Sequence, residues 1–273
     1  MPLFDNQEIA LNYASFGNSS NPALIFSNSL GTSYHMWQPQ IDALQIDYFI
    51  ICYDTRGHGK SSAPRGPYSF DQLGQDVIDL LDYLNIGKAF FCGISMGGMT
   101  GQWLAIHHPD RFNHLMLCNT AAKIGNEAAW RDRAQLVRAQ GLDPIAATAA
   151  PRWFTADFID SYPDVVAALS SALAAGSSEG YASCCEALSV ADTREQLKDI
   201  RVPITVVAGT EDPVTTVADG QYMVDHIPHS TLATIDASHI SNIEQPEKFT
   251  KYIIIHLLIN QTEFIFMIKL EKN

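Results

Sequence analysis

The stretch Ala89-Phe90-Phe91-Cys92-Gly93-Ile94-Ser95-Met96-Gly97-Gly98-Met99-Thr100 decides the fold. Its first six residues, Ala89 to Ile94, are mostly apolar and read as a strand covered on both faces. Met96 to His107 reads as a helix, stopped before Pro109. Between them Gly93 to Gly97 form a G-x-S-x-G pattern, which in a strand–turn–helix setting exposes a serine hydroxyl at the sheet edge. The glycines leave room for a strained, closely packed backbone, and the helix N-terminus lies behind the hydroxyl. Alone the pattern is common; in this setting it marks Ser95 as a candidate nucleophile.

Outward from this unit the same alternation continues. Ala23 to Ser27, Tyr48 to Tyr53 and His114 to Asn119 read as further strands, and Phe70 to Leu84 carries apolar residues at helical spacing. Such alternation is the pattern of βαβ units and a mainly parallel sheet. From residue 121 to 199 the chain turns rich in Ala and Ser, carries Trp130, Trp153 and several arginines, and shows no strand; it reads as a helical lid insertion. Strands resume at Ile204 to Ala208 and Thr231 to Ile235, and Glu247 to Ile259 reads as a closing helix. The expected division is a core of residues 1–120 and 200–273 with a lid of residues 121–199. The apolar tail from Tyr252 to Leu270 is broken by polar residues well short of the ~20 apolar positions a membrane span needs. Within it, Phe264-Ile265-Phe266-Met267-Ile268 has no functional reading.

A serine hydroxyl needs a base, and His239 alone among nine histidines follows the last expected strand, at the edge where Ser95 lies. His35, His58, His107, His108, His114, His226, His229 and His256 fall on helices, early turns or the tail, where surface or capping roles suit them. The imidazole needs an acid placed between serine and histidine in chain order. Asp212, in Gly209-Thr210-Glu211-Asp212-Pro213 after the strand Ile204 to Ala208, is preferred over its neighbour Glu211. For the oxyanion, the main-chain N–H of Met96 supplies one donor and that of Leu30, in Asn28-Ser29-Leu30-Gly31-Thr32, the second. Gly31 there serves backbone freedom. The loop Asp54-Thr55-Arg56-Gly57-His58-Gly59-Lys60-Ser61 lacks the glycine spacing of a nucleotide loop and reads as packing beneath the site, with Arg56 paired internally.

Composition narrows the partners. The 47% hydrophobic and 17% charged content is that of a globular enzyme, and the net charge of −13 opposes nucleic acid and anionic membrane surfaces. Five cysteines without CxxC or Cys/His spacing are expected to be apolar fillers, so neither a metal nor any cofactor is expected. The first residues show neither a cationic head nor an apolar run, which points to the cytoplasm. A homo-oligomer is compatible with everything above.

These residues together resemble the 3-oxoadipate enol-lactonases, α/β-hydrolases of protocatechuate and catechol breakdown. The likeness covers roughly residues 3 to 250. It rests on Ser27-Asn28-Ser29-Leu30-Gly31-Thr32 followed by Trp37, on Tyr53 to Ser61, and on Cys92-Gly93-Ile94-Ser95-Met96-Gly97-Gly98. It implies an α/β-hydrolase fold with an eight-stranded, mainly parallel sheet, helices on both faces, and a triad of Ser95, Asp212 and His239. It further implies a small anionic lactone substrate, for which an acidic protein must supply local cations. Arg131, Arg133, Arg138 and Arg152 are available in the lid, with Arg133 preferred, and Trp37, Trp130 and Trp153 are the expected apolar walls. Two other readings keep the fold: a general carboxylesterase or thioesterase, and a non-catalytic receptor for a small ligand.

Overall fold

The computed structural model describes residues 3–5 and 8–256. Eight strands make one sheet: β1 Leu3–Asp5, β2 Ala10–Phe16, β3 Ala23–Ser27, β4 Phe49–Tyr53, β5 Ala89–Ile94, β6 Phe112–Cys118, β7 Ile204–Gly209 and β8 Ser230–Ile235. Their spatial order is β1-β2-β4-β3-β5-β6-β7-β8. β1 and β2 pair antiparallel, as do β2 and β4; every pairing from β4 to β8 is parallel. Successive side chains of a strand point to opposite faces, so Leu24, Phe26, Cys92 and Val207 join one core cluster and Ile25, Phe91, Leu117 and Val206 the other. Six strands fall within two residues of where the sequence placed them. β1 and β2 carry no such signal: β1 has three residues, and β2 (ALNYASF) mixes a buried Asn12 with small polar positions at an antiparallel edge.

The helices are α1 Gln38–Leu44, α2 Phe70–Tyr83, α3 Met96–His107, α4 Glu127–Gln140, α5 Asp143–Ala146, α6 Ala150–Trp153, α7 Ala156–Ser161, α8 Pro163–Ala174, α9 Ser178–Val190, α10 Val217–His226, α11 Ser241–Glu244 and α12 Pro246–Ile254. Local chemistry starts several of them. Ser69 and Gln72 form a capping box at α2, and Asn126 accepts the Ala129 N–H at α4. The expected closing helix is α12, and its continuation to Ile259, like the run Phe264 to Ile268, lies outside the described residues. No helix among the described residues is long and apolar enough to cross a membrane.

Helices α4 to α9 lie between β6 and β7 without a strand among them. α4 packs along α9, where Arg138 grips Glu179 and Glu186 at 3.0 and 2.6 Å. α9 in turn presses backbone on backbone against the loop after β4: a Cβ on Gly57 would sit 2.5 Å from the Gly180 Cα. The helical block between β6 and β7 is thus joined to the rest of the fold by buried contact, as well as through its two chain ends.

The register carries the ends of the parallel strands, β3 to β8, to one edge. Ser27 faces Gly93, Ile94 faces Cys118, and Gly209 faces Ile235, so the loops after β3, β5, β6, β7 and β8 all open together. Between β3 and β5 the chain changes its direction of winding, since β3 is flanked by β4 on one side and β5 on the other. Ligand crevices of open parallel sheets form at such a point.

Candidate active site

Ser95 is the first residue past β5 and sits at φ 58°, ψ −113°, a conformation that non-glycine residues adopt only when their surroundings hold them in it. Two bonds do so: Ser95 N–H donates to the Cys118 carbonyl at 2.9 Å, and the Thr120 hydroxyl donates to the Ser95 carbonyl at 2.8 Å. The flanking glycines are sterically required. A Cβ on Gly93 would lie 2.3 Å from the Gly97 carbonyl oxygen, and one on Gly97 equally close to that of Ser27.

Asp212 lies in the loop after β7 and His239 in the loop after β8, and they meet at 2.8 Å between Oδ2 and Nδ1. The same Oδ2 accepts from Thr215 Oγ1 at 2.8 Å and Asn119 Nδ2 at 3.1 Å, while Oδ1 accepts the main-chain N–H groups of Val214 and Thr215 at 2.8 and 3.0 Å. Burial alone would push this carboxyl up; the adjacent imidazole and these hydrogen bonds outweigh it and hold Asp212 below its ordinary value. Glu211 is exposed and joins none of these bonds. With Nδ1 engaged, the other imidazole nitrogen is the one left for Ser95, and both residues line one cavity.

Ser29 to Thr32 close a turn over β3, with the Thr32 N–H and hydroxyl both donating to the Ser29 carbonyl at 3.2 and 2.8 Å. Gly31 stands at φ +82°, which a turn of this kind demands of its third residue. The Leu30 N–H has no acceptor among the described residues, and Met96, first in α3, has no helical carbonyl behind its own. These are the two donors named from the sequence.

The cavity over Ser95 has a volume of about 240 Å³. Its walls come from the turn after β3 and from the lid, including Trp130, Trp153 and Tyr181, and two arginines reach it, Arg133 and Arg152. Among the described residues no carboxylate side chain lines it. Arg133 lies over the Trp130 ring at 4.8 Å, and Arg152 is pulled down from its ordinary pKa by burial and by Arg133 beside it. The cavity is therefore a concentrated positive site within an acidic chain.

Residues 22–246 match the family model described as alpha/beta hydrolase fold. The chain is 65% identical over 243 residues to 3-oxoadipate enol-lactonase 2 of Acinetobacter baylyi, covering 89% of this chain and 91% of that protein. It belongs to the 3-oxoadipate enol-lactonase family of α/β-hydrolases. 3-Oxoadipate enol-lactonase 1 of the same organism is 48% identical, across 85% of this chain and 87% of its own. Among solved structures, the enol-lactonase from Burkholderia xenovorans LB400 superposes with a TM-score of 0.92 at 43% identity, covering 94% of this chain and 99% of that one.

Not every residue expected at the site of this enol-lactonase relative reaches it. Trp37 is a correction: it is fully buried, stacked on Phe26 at 4.4 Å, with its indole N–H donating to Asn28 Oδ1 at 2.9 Å, so it braces the turn after β3 from behind and is not among the residues that line the cavity over Ser95. Of the lid arginines, Arg131 pairs with Glu127 on the surface and Arg138 is spent on Glu179 and Glu186, which leaves Arg133 and Arg152. The surface or capping role expected of His58 and His114 is also corrected, since both are buried; His114 Nε2 lies 2.8 Å from Thr205 Oγ1. In the loop after β4, the Asp54 carboxylate accepts from Asn12 Nδ2, Tyr34 N–H and Lys60 N–H.

Two residues escaped sequence reading altogether. Asn119, one past β6, joins the Asp212 carboxylate to the Ser238 carbonyl and accepts from Ser241 at 2.6 Å. Glu244, buried on α11, accepts the Ser238 N–H at 2.8 Å through one oxygen and the N–H and hydroxyl of Thr155 through the other. Ile240 N–H donates to the Trp153 carbonyl at 3.0 Å, so both flanks of His239 are bonded to the lid segment that lines the cavity. Each is a single polar residue without a spacing to announce it.

Proposed function

We infer that this chain hydrolyses 3-oxoadipate enol-lactone to 3-oxoadipate. The observation that carries the reading is the cavity itself, lined by Ser95, His239 and two arginines and, among the described residues, by no side-chain carboxylate, in a chain 65% identical to a 3-oxoadipate enol-lactonase. Ser95 attacks the lactone carbonyl as His239 takes its proton, and the oxyanion that forms is held by the N–H groups of Leu30 and Met96. Collapse breaks the ring C–O bond, and the enol oxygen leaves with the proton from His239 and relaxes to the ketone. Water, deprotonated by the same imidazole, then releases the acyl group from Ser95. Asp212 keeps the imidazole in the required tautomer throughout.

The acetate carboxylate of the substrate binds Arg133, with Arg152 adding to the local positive charge and Trp130 and Trp153 covering the ring. Five free, buried cysteines suit a reducing compartment, and we place the enzyme in the cytoplasm, where protocatechuate and catechol breakdown would supply its substrate. The test is to follow loss of lactone absorbance with purified protein, beside hydrolysis of a neutral acyl ester. The expected result is a marked preference for the enol-lactone; faster turnover of the neutral ester would turn the reading toward a general carboxylesterase.

A further inference from the structure

We propose that Tyr181 is a further substrate-binding residue, whose phenol hydroxyl donates a hydrogen bond to the substrate carboxylate beside the Arg133 guanidinium. The proposal deepens the enol-lactone reading given above and rests on it. Tyr181 stands in the first turn of α9 and is only 4% exposed. It lines both the cavity over Ser95 and a neighbouring cavity of about 270 Å³. The two sides of the ring divide between them. One edge packs on the oxyanion turn, where a Cβ on Gly31 would lie 3.1 Å from Tyr181 Cε2, and Gly31 lines the neighbouring cavity. The hydroxyl is at the arginine pair: it shares a hydrogen bond with Arg133 and feels the charge of Arg133 and of Arg152. Both arginines line the cavity over Ser95 and neither lines the neighbour, so the hydroxyl belongs to the cavity of the triad.

The direction of that bond follows from the groups themselves. A guanidinium can only donate, so Tyr181 Oη accepts from Arg133 and the phenol proton is left over. It has no acceptor among the described residues. Burial, and after it the nearby Cys185 thiol, push the phenol up to about 12 against the pull of the two arginines, so the proton stays on at neutral pH. A buried donor left without a partner is costly, and the cost is recovered when a ligand brings an acceptor to it. The substrate carboxylate does so wherever it meets Arg133, because its lone pairs suffice for guanidinium and phenol together. Arg133 thus attracts the anion, and Tyr181 adds a neutral donor that fixes its orientation.

Tyr181→Phe removes the hydroxyl and keeps the ring. With the enol-lactone, KM is expected to rise about 10- to 100-fold, the scale of a hydrogen bond to a charged group, with kcat within roughly threefold. The rise in KM for a neutral acyl ester is expected to be at least about fivefold smaller. Adipate, an unreactive dicarboxylate, is the second probe, read as a competitive inhibitor of neutral-ester hydrolysis. Adding Tyr181→Phe to Arg133→Met should weaken its inhibition by a further factor of about three or more, whereas no further loss would show that the phenol acts only through the guanidinium. An unchanged KM, a parallel change in both substrates, or a loss confined to kcat would also overturn the proposal. The wild-type protein gives a readout that needs no variant. Tyr181 is the tyrosine that lines this cavity among the described residues, so adipate should shift a tyrosine signal in protein labelled at 13Cζ. Failure of adipate to bind, or tyrosine signals unmoved at saturation, would overturn the proposal even if Tyr181→Phe does not fold. Absence of lactone turnover by a wild type whose tyrosine signal does respond would sink the lactonase reading instead and leave the anion contact standing.

Discussion

Replacing Asp212 by Asn changes one oxygen for an amide nitrogen, and the surroundings determine how the new group must sit. All five hydrogen bonds to the carboxylate come from donors. If the amide nitrogen takes the Oδ1 site it faces two main-chain N–H groups that have no alternative form. At the Oδ2 site, the Thr215 hydroxyl can rotate and the imidazole can yield its Nδ1 proton, leaving only the Asn119 amide in conflict. The second orientation therefore wins, and His239 is left with its proton on the nitrogen that should receive one from Ser95. In serine hydrolases with this triad a displaced tautomer lowers turnover by roughly 10⁴, which is about 5 kcal/mol on the barrier. The assay is kcat on the enol-lactone for wild type, Asp212→Asn and Glu211→Gln at neutral pH. Retention of activity within about tenfold in Asp212→Asn would refute the reasoning, as would a more damaging Glu211→Gln.

Ser95→Ala should lose several orders of magnitude in turnover while remaining folded; near-normal turnover would dismiss Ser95 as nucleophile. Because Ser95 sits at φ 58°, Ser95→Gly should be more stable than Ser95→Ala by about 1 kcal/mol in denaturant unfolding, and equal midpoints would deny that the elbow is strained. Arg133→Met should raise KM for the anionic lactone at least about tenfold and leave that for a neutral ester nearly unchanged; a parallel change in both substrates would assign the arginine to lid structure. Burial pulls His114 down to about 4 from 6.5, so the unfolded chain binds the extra proton between those values and stability falls as pH drops through that window, by roughly 3 kcal/mol in all. Unfolding free energies measured from pH 7 to pH 4 should show this slope in wild type and a shallower one in His114→Gln; identical slopes would show that His114 does not contribute it.

The parts legible in the sequence are those that a local pattern must encode. Strands buried on both faces, such as Ala89 to Ile94 and Ile204 to Ala208, are runs of apolar residues, and the elbow needs its glycines because carbonyl oxygens pass 2.3 Å from where a Cβ would be. Chain order then selects Ser95, Asp212 and His239, since each follows a strand that ends at the same edge. The antiparallel edge is less legible because β1 is short and β2 is partly polar. Trp37 shows the limit of reading residue type alone. An aromatic near an oxyanion loop suggests a substrate wall, yet its partners Phe26, Asn28 and Phe249 are revealed only by packing. Asn119 and Glu244 act across 93 and 89 residues of chain, and no periodicity records a contact at that range.

The bond from Ile240 to Trp153, and those from Ser238 and Thr155 to the shared Glu244 carboxylate, tie the loop that carries His239 to the segment that helps wall the cavity. A cap borrowed from another hydrolase would arrive without those fastenings, and the general base would lose its footing together with the old substrate preference. Exchanging caps between such enzymes should therefore preserve turnover only when the crossover points keep residues 153 to 155 and the α11 carboxylate from the same parent.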